Sequence, residues 1–154
     1  MARLIALDVG EARIGVAVCD ASGFLASPYV TISVTRNDQQ TWTEIQRIID
    51  ETDAEGLVVG LPISLDGQIH TQGQRIQSFA ERLRSHITIP LTFWDERLST
   101  VEAQRLLMQR GQDEGERRHS RGGRQRGKKR RRGQEIDALA AAVILQDYLD
   151  HHGK

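Results

Sequence analysis

The feature that most constrains the fold is the stretch of residues 3–20, RLIALDVGEARIGVAVCD, in which two apolar runs flank a short polar turn. Runs of Val, Ile and Leu joined by a turn that contains a glycine are typical of a β-hairpin with both strands buried. Asp8 conflicts with that burial, since an ionised carboxylate in a buried strand costs several kcal/mol unless its charge is compensated. Asp8 is therefore either the acceptor of a local turn into Gly10 or a ligand of a cation.

The length and composition predict one globular domain over residues 1–154. Apolar residues make up 38% and charged residues 27% of the chain, as in an ordinary globular protein with a sizeable core. A single cysteine, Cys19, excludes an internal disulfide. Because no signal peptide and no membrane-spanning run is visible, we expect a cytoplasmic protein with no membrane partner.

The net charge of zero hides one concentrated basic segment. Residues 111–134 hold ten Lys or Arg and three Asp or Glu, whereas residues 1–110 carry a net charge of −4 and residues 135–154 a net charge of −3. The segment 111–134 has almost no apolar side chains, so we expect a flexible basic loop rather than a part of the core.

The order of the predicted elements indicates an α/β fold. After the hairpin we predict a strand at Pro28–Val34, a helix capped by Asn37 or Asp38, a strand at Leu57–Gly60, a helix opened by Thr71, a strand at Leu91–Trp94, a helix from Ser99 to about Arg110, and a final helix from Glu135 to about Leu149. This order predicts a mixed five-stranded sheet with helices on its faces. Ligands of such sheets bind beyond the carboxyl ends of the parallel strands.

Acidic residues collect at that edge of the predicted sheet. Asp8 lies near the end of the first strand, Asp95 and Glu96 come directly after the fifth, and Asp137 lies in the first turn of the last helix. Each has an alternative explanation: Asp137 would favour the positive end of a helix dipole, and Asp95 and Glu96 would be surface acids. Strand alternation places Asp95 and Glu96 on opposite faces, and we prefer Glu96 for its longer reach, with Asp95 as the alternate.

Three converging carboxylates repel one another, and divalent cations relieve that repulsion. Oxygen ligands suit Mg²⁺ or Mn²⁺, and two such ions about 3.5–4 Å apart promote phosphodiester hydrolysis. The sequence thus predicts Asp8, Glu96 and Asp137 as catalytic and metal-binding residues.

The basic segment suggests contact with a nucleic-acid backbone, with a solvated loop or a targeting signal as the alternatives. It contains no aromatic residue, so base stacking from it is not expected. The candidate nucleic-acid-binding residues are Arg13, Arg97, Arg124, Arg126, Lys128, Lys129, Arg130, Arg131 and Arg132.

Four groups of residues resemble the YqgF/RuvX family of Holliday-junction-resolvase-like proteins. They are Asp8-Val9-Gly10 with Arg13 to Ala17 and Asp20; Val59 to Pro62 with Asp66-Gly67; Asp95 to Thr100; and Asp137 with Ala140-Ala141 and Ile144-Leu145. The resemblance implies an RNase H-like fold with sheet order 3-2-1-4-5 and an antiparallel β1–β3 meander. It also implies a metal-dependent nuclease site on Asp8, the Asp95-Glu96 pair and Asp137, and processing of the 5′ end of pre-16S ribosomal RNA.

Three other functions stay open or are discounted. A Holliday junction resolvase acting on branched DNA would need two symmetric sites, and therefore a homodimer. We expect the chain to be either a monomer or a homodimer. A catalytically inactive nucleic-acid-binding module would keep the fold without the activity. An actin-like kinase is discounted because 154 residues leave no room for its second domain. The long Arg- and Gly-rich stretch at 111–134 departs from the family pattern and leaves the preferred substrate open.

Overall fold

The computed structural model describes residues 3–63, 66–95 and 125–152, with the backbone alone for residues 125–135. The elements of this part of the chain are β1 (Leu4–Val9), β2 (Arg13–Cys19), β3 (Ala26–Ser33), α1 (Asp38–Thr52), β4 (Gly56–Leu61), α2 (Thr71–Arg84), β5 (Leu91–Asp95) and α3 (Gln125–His152). The predicted helix from Ser99 to Arg110 lies outside the described residues.

The strands form one five-stranded sheet in the order β3-β2-β1-β4-β5. β1 pairs antiparallel with β2, and β2 with β3, while β1–β4 and β4–β5 are parallel. This confirms the predicted fold class, because an antiparallel meander followed by two crossover connections gives this mixed sheet. The carboxyl ends of β1, β4 and β5 therefore lie at one edge.

Alternation along the strands gives the sheet two buried faces. Ile5 and Leu7 of β1 pack with α1 and α2, whereas Ala6 lies in a separate core with α3. The α3 core is built largely of small side chains, which allow the helix to approach the sheet closely; they include Ala6, Ala17, Ala141 and Ala142. Helices thus cover both faces, as predicted. None of the helices in the described ranges is both long and apolar enough to cross a bilayer.

The last helix begins at Gln125, ten residues before the predicted start at Glu135. The backbone of residues 125–134 is therefore helical where a flexible loop was expected, and the rest of that loop lies outside the described residues. Sequence periodicity could not indicate this extension, because no apolar stripe marks it. Extending a helix that is already nucleated by a buried part costs much less than starting one.

Candidate active site

Asp8 occupies the α3 side of β1, at the edge where the parallel strands end. Its neighbours Leu7 and Val9 belong to the core on the opposite face, so the Asp8 side chain is directed towards α3. Across the hairpin Asp8 pairs with Gly15 of β2. The hairpin turn is closed by the backbone, through a hydrogen bond of 2.9 Å from the N–H of Gly10 to the carbonyl oxygen of Arg13.

At Gly15 the backbone of α3 comes very close to the sheet. A Cβ atom at Gly15 would lie 1.8 Å from the carbonyl oxygen of Asp137 and 2.8 Å from the backbone nitrogen of Ala138. No side chain fits in that space, so only glycine allows the backbone of α3 to rest here. Since Gly15 pairs with Asp8, this contact brings Asp137 beside Asp8.

The electrostatics of Asp8 reflect this neighbourhood. Burial, and to a lesser extent the negative charge of Asp137, together raise the pKa of the Asp8 carboxyl from 3.8 to about 6. Two carboxylates are thus held close enough to repel, in a position where water only partly solvates them. A cation would remove the repulsion.

Arg13 provides one positive charge at this position. Its Nε atom lies 2.8 Å from Oδ2 of Asp137, and the two side chains are 43% and 25% exposed. Oδ2 is itself shielded from solvent and accepts no well-aligned hydrogen bond from the part of the chain that the structure describes. The short distance and the missing hydrogen bond both concern the contact between Arg13 and Asp137, and they are compatible. The distance establishes an ion pair, and the poor alignment means that it lacks the strength of a directed hydrogen bond.

Asp137 lies in the interior of α3, twelve residues after Gln125. At about 1.5 Å per residue, that is some 18 Å from the start of the helix, beyond the reach of the dipole at its end. The helix-end explanation of Asp137 is therefore wrong, and its contacts with the sheet edge account for its position.

The faces of β5 separate the two remaining candidates. Leu91 and Phe93 pack with the α1 and α2 core, whereas Trp94 belongs to the α3 core. Asp95 follows the alternation of Leu91 and Phe93, and it lies on the face away from Asp8 and Asp137. Glu96, the preferred candidate, lies outside the described residues.

The described residues contain no cluster of three or more metal-ligating side chains. Of the predicted set, they bring together Asp8 and Asp137 only. Among the basic candidates, Arg97 and Arg124 lie outside the described ranges. Six others lie in the first turns of α3, where the structure describes the backbone alone: Arg126, Lys128, Lys129, Arg130, Arg131 and Arg132.

Sequence reasoning missed two contacts between α3 and the sheet. One is Gly15, whose signal was a glycine inside an apolar strand, typical of a close backbone approach. The other is a buried hydrogen bond of 2.7 Å from Nε1 of Trp94 to Oδ2 of Asp147. Asp147 is fully buried, and no sequence pattern singled it out.

Comparison with known proteins assigns the chain to a family. A family model described as RuvX, Holliday junction resolvase, matches residues 2–151. The chain belongs to the RuvX family. A RuvX relative from Thermoanaerobacter pseudethanolicus is 38% identical over 148 residues, covering 96% of each chain. A relative from Roseiflexus sp. (strain RS-1) is 40% identical over 151 residues, covering 96% of this chain and 94% of the relative. Both carry the provisional name of pre-16S rRNA nuclease.

Among solved structures, T. thermophilus RuvC in complex with a Holliday junction substrate is similar, with a TM-score of 0.52. It is 12% identical, and the match covers 98% of this chain and 96% of that one. At this identity the similarity shows the fold alone. The RuvX assignment and this RuvC-like fold confirm the resemblance found in the sequence.

Proposed function

We propose that this protein is a nuclease that depends on divalent cations and processes the 5′ end of pre-16S rRNA. Its family, and the names of relatives that match nearly its whole length, make it a hydrolase of phosphodiester bonds. The observation that carries the metal dependence is the juxtaposition of Asp8 and Asp137 through the glycine contact at Gly15.

The carboxylates fit a hard cation. Both donors are oxygens, and the pKa of Asp8 is raised by burial and by Asp137. Oδ2 of Asp137 accepts no well-aligned hydrogen bond from any described residue. Mg²⁺ and Mn²⁺ prefer such ligands. Bound there, a pair of these ions would supply an activated water and stabilise the leaving oxygen. Asp8 and Asp137 would hold them, together with a third carboxylate.

For that third ligand we propose Glu96. Asp95 shares the face of Leu91 and Phe93, which is turned away from α3, while Trp94 lies on the face of Asp8. Continuing the strand alternation by one residue favours Glu96 over Asp95. Gly60 pairs with Trp94 and lacks a side chain, so β4 places no side chain between β1 and β5 at that position.

The helical backbone of α3 supports a role for the basic segment in holding the substrate. Lys128 and Arg132 precede Asp137 by nine and five residues in one continuous helix. At about 1.5 Å per residue, their backbones lie roughly 7–14 Å from that of Asp137 along the axis. Cations at this distance offset the repulsion between the carboxylates and a phosphate backbone. The cytoplasmic location expected from the sequence agrees with an rRNA substrate and stays a prediction.

A second candidate function is cleavage of branched DNA. The description of the family model and the fold of T. thermophilus RuvC support it. It would require two active sites related by symmetry, and therefore a homodimer.

One cleavage assay tests both functions. An end-labelled RNA carrying the pre-16S 5′ leader and a four-way DNA junction are incubated with the full chain, with Mg²⁺, with Mn²⁺ or with a chelator. We expect metal-dependent cleavage of the RNA, lost in Asp8→Asn and Asp137→Asn. Preferential cutting of the junction, by a dimer, would replace the proposed function with the second one.

Two matched variants assign the third ligand in the same assay. Glu96→Gln should abolish cleavage, and Asp95→Asn, a neighbouring and equally conservative change, should retain most of it. Loss of activity in the Asp95 variant alone would contradict the assignment of Glu96.

A further inference from the structure

Arg13 belongs to the carboxylate site by position as well as by charge. It stands two residues before Gly15 on β2, and strand alternation puts Arg13, Gly15 and Ala17 on the face covered by α3. Its guanidinium meets Asp137 there, with Nε 2.8 Å from Oδ2. The described site therefore contains two carboxylates and one fixed cation.

Another arginine nearby in the fold shows what is unusual about this contact. Arg75 pairs with Glu11 of the β1–β2 turn at 2.6 Å, but the Glu11 side chain is 80% exposed and water can solvate its charge. Asp137 is only 25% exposed, and its contacting oxygen is shielded from solvent. Surface pairs such as Arg75–Glu11 contribute little. At Asp137 the arginine instead compensates a charge that water only partly solvates and that raises the pKa of Asp8.

We propose that Arg13 is a resident counter-cation of the active site, which competes with the divalent cation for Asp137 and sets the metal affinity. The inference rests on the proposed metal site. Mg²⁺ requires ligand oxygens at about 2.0–2.1 Å in a nearly ideal octahedron. The guanidinium nitrogen already lies against Oδ2, the oxygen that no hydrogen bond holds. A cation entering there must displace Arg13 or bind beside a positive charge, and both lower its affinity.

The proposal also explains how the metal-free site is tolerated. Without Arg13, Asp8 and Asp137 would repel each other in a half-buried position, and no other side chain in the described ranges is seen to compensate their charge. With Arg13 the three groups carry a net charge of −1 when both acids are ionised. Arg13 thus stabilises the site without a divalent cation and lowers the affinity of the site for that cation.

Metal titration by calorimetry tests this without relying on cleavage. Mn²⁺ is titrated into the full chain, as the wild type and as Arg13→Gln, Arg13→Lys, Arg75→Gln and Asp137→Asn. We expect Arg13→Gln to bind Mn²⁺ roughly threefold to tenfold more tightly than the wild type, since one nearby positive charge is removed. Arg13→Lys keeps the charge and should stay near the wild-type affinity. Arg75→Gln removes the exposed pair and should change nothing.

Thermal unfolding of the same proteins provides a second readout. Metal-free Arg13→Gln should melt below the wild type, and Mn²⁺ should raise its melting temperature by more than it raises that of the wild type. Arg75→Gln should match the wild type in both conditions.

The variants separate failure of this inference from failure of the metal site. Unchanged or weaker Mn²⁺ binding in Arg13→Gln, with binding still lost in Asp137→Asn, would overturn the role of Arg13 alone. Tighter binding in Arg13→Lys would show that the fit of the guanidinium matters and not its charge, and would also overturn it. Equal Mn²⁺ binding by the wild type and Asp137→Asn would overturn the metal site itself.

Discussion

Asp8 is the residue at which the electrostatic cost of the site can be measured. Burial and then the charge of Asp137 raise its pKa from 3.8 to about 6. The folded protein therefore binds this proton more tightly than the unfolded chain does. The resulting stabilisation is fully present below about pH 4 and is lost as the pH rises through about 6.

Replacing Asp8 with Asn removes this dependence. The quantity to compare is the free energy of unfolding of Asp8→Asn minus that of the wild type, both measured with a chelator present. We expect this difference to be about 1–3 kcal/mol larger at pH 7 than at pH 4, at about 1.4 kcal/mol per pKa unit. Urea denaturation at several pH values measures this difference. A constant difference between pH 4 and pH 7 would show that Asp8 titrates normally. The same variant should be inactive in cleavage, since it cannot supply the charge that holds a cation.

Gly15 permits the closest contact in the described site. Gly15→Ala should lower the free energy of unfolding by about 1–3 kcal/mol or more, because the obstacle to its Cβ is the backbone of Asp137 and not a movable side chain. The shift of α3 should also weaken Mn²⁺ binding. Denaturation and calorimetry measure the two effects.

Gly56→Ala is the matched control for that substitution. Its Cβ would meet Cδ2 of Leu4 at 2.8 Å, at the end of a flexible side chain that can move aside. It should cost less stability than Gly15→Ala and leave Mn²⁺ binding unchanged. Equal effects of the two substitutions would contradict the special role of the Gly15 contact.

Among the elements, the strands could be predicted from the sequence because the residues that are apolar in the sequence are the ones that the sheet buries. The hairpin predicted within residues 3–20 is observed as β1 (Leu4–Val9) and β2 (Arg13–Cys19). Asn37, a predicted cap, does cap α1, and its side chain accepts a hydrogen bond of 3.0 Å from the N–H of Gln39. Apolar alternation and side-chain caps are local signals, and local signals are readable in a single sequence.

The early start of α3 and its position on the sheet were not readable in that way. The sequence of residues 125–134 contains no apolar side chain that could form a periodic pattern, and Gly127 and Gly133 both disfavour a helix. The contact between Gly15 and Asp137 joins residues more than a hundred positions apart, so no local rule connects them. Asp8 and Asp137 could be proposed from charge and chain order, whereas the pairing of Arg13 with Asp137 needed coordinates.

A buried hydrogen bond from Nε1 of Trp94 to Oδ2 of Asp147 links the far end of α3 to β5. Asp147→Leu leaves the indole N–H without an acceptor in a buried place, and should lower the free energy of unfolding by about 1–3 kcal/mol. Asp147→Asn keeps an acceptor oxygen and should cost less.

Denaturation followed by tryptophan fluorescence measures both variants of Asp147. A Trp42→Phe background is used, so that Trp94 alone reports. If Asp147→Leu were as stable as Asp147→Asn, the hydrogen bond between Trp94 and Asp147 would not stabilise the packing of α3 on β5.

At the scale of the whole molecule, charge is divided between an acidic body and a basic segment. Replacing Lys128 to Arg132 with Gln or Ser should weaken nucleic-acid binding to a similar degree for different base sequences, because such cations contact the backbone. The slope of log affinity against log salt should flatten by about 0.7–0.9 for each phosphate contact that is lost. Mn²⁺ affinity should be almost unchanged, since these residues supply no oxygen ligands.

Binding titrations at several salt concentrations measure that slope. The matched control replaces Arg47, Arg82 and Arg84, exposed arginines of α1 and α2 on the opposite face of the sheet from α3. An unchanged slope in the segment variant, or an equal change in the control, would show that the basic segment does not hold the substrate.

The continuity of α3 has a consequence for where a bound strand is cut. A helix is a rod of constant rise, so the backbone distance from the basic segment to Asp137 is the same in every complex while the rod stays intact. If the basic segment holds a strand by its phosphates, as proposed, that strand would meet the carboxylates at a constant distance from the segment. The distance between the position where the protein holds the strand and the position where it cuts the strand would then be constant. The number of helical residues, and not the order of the bases, would set the cleavage position.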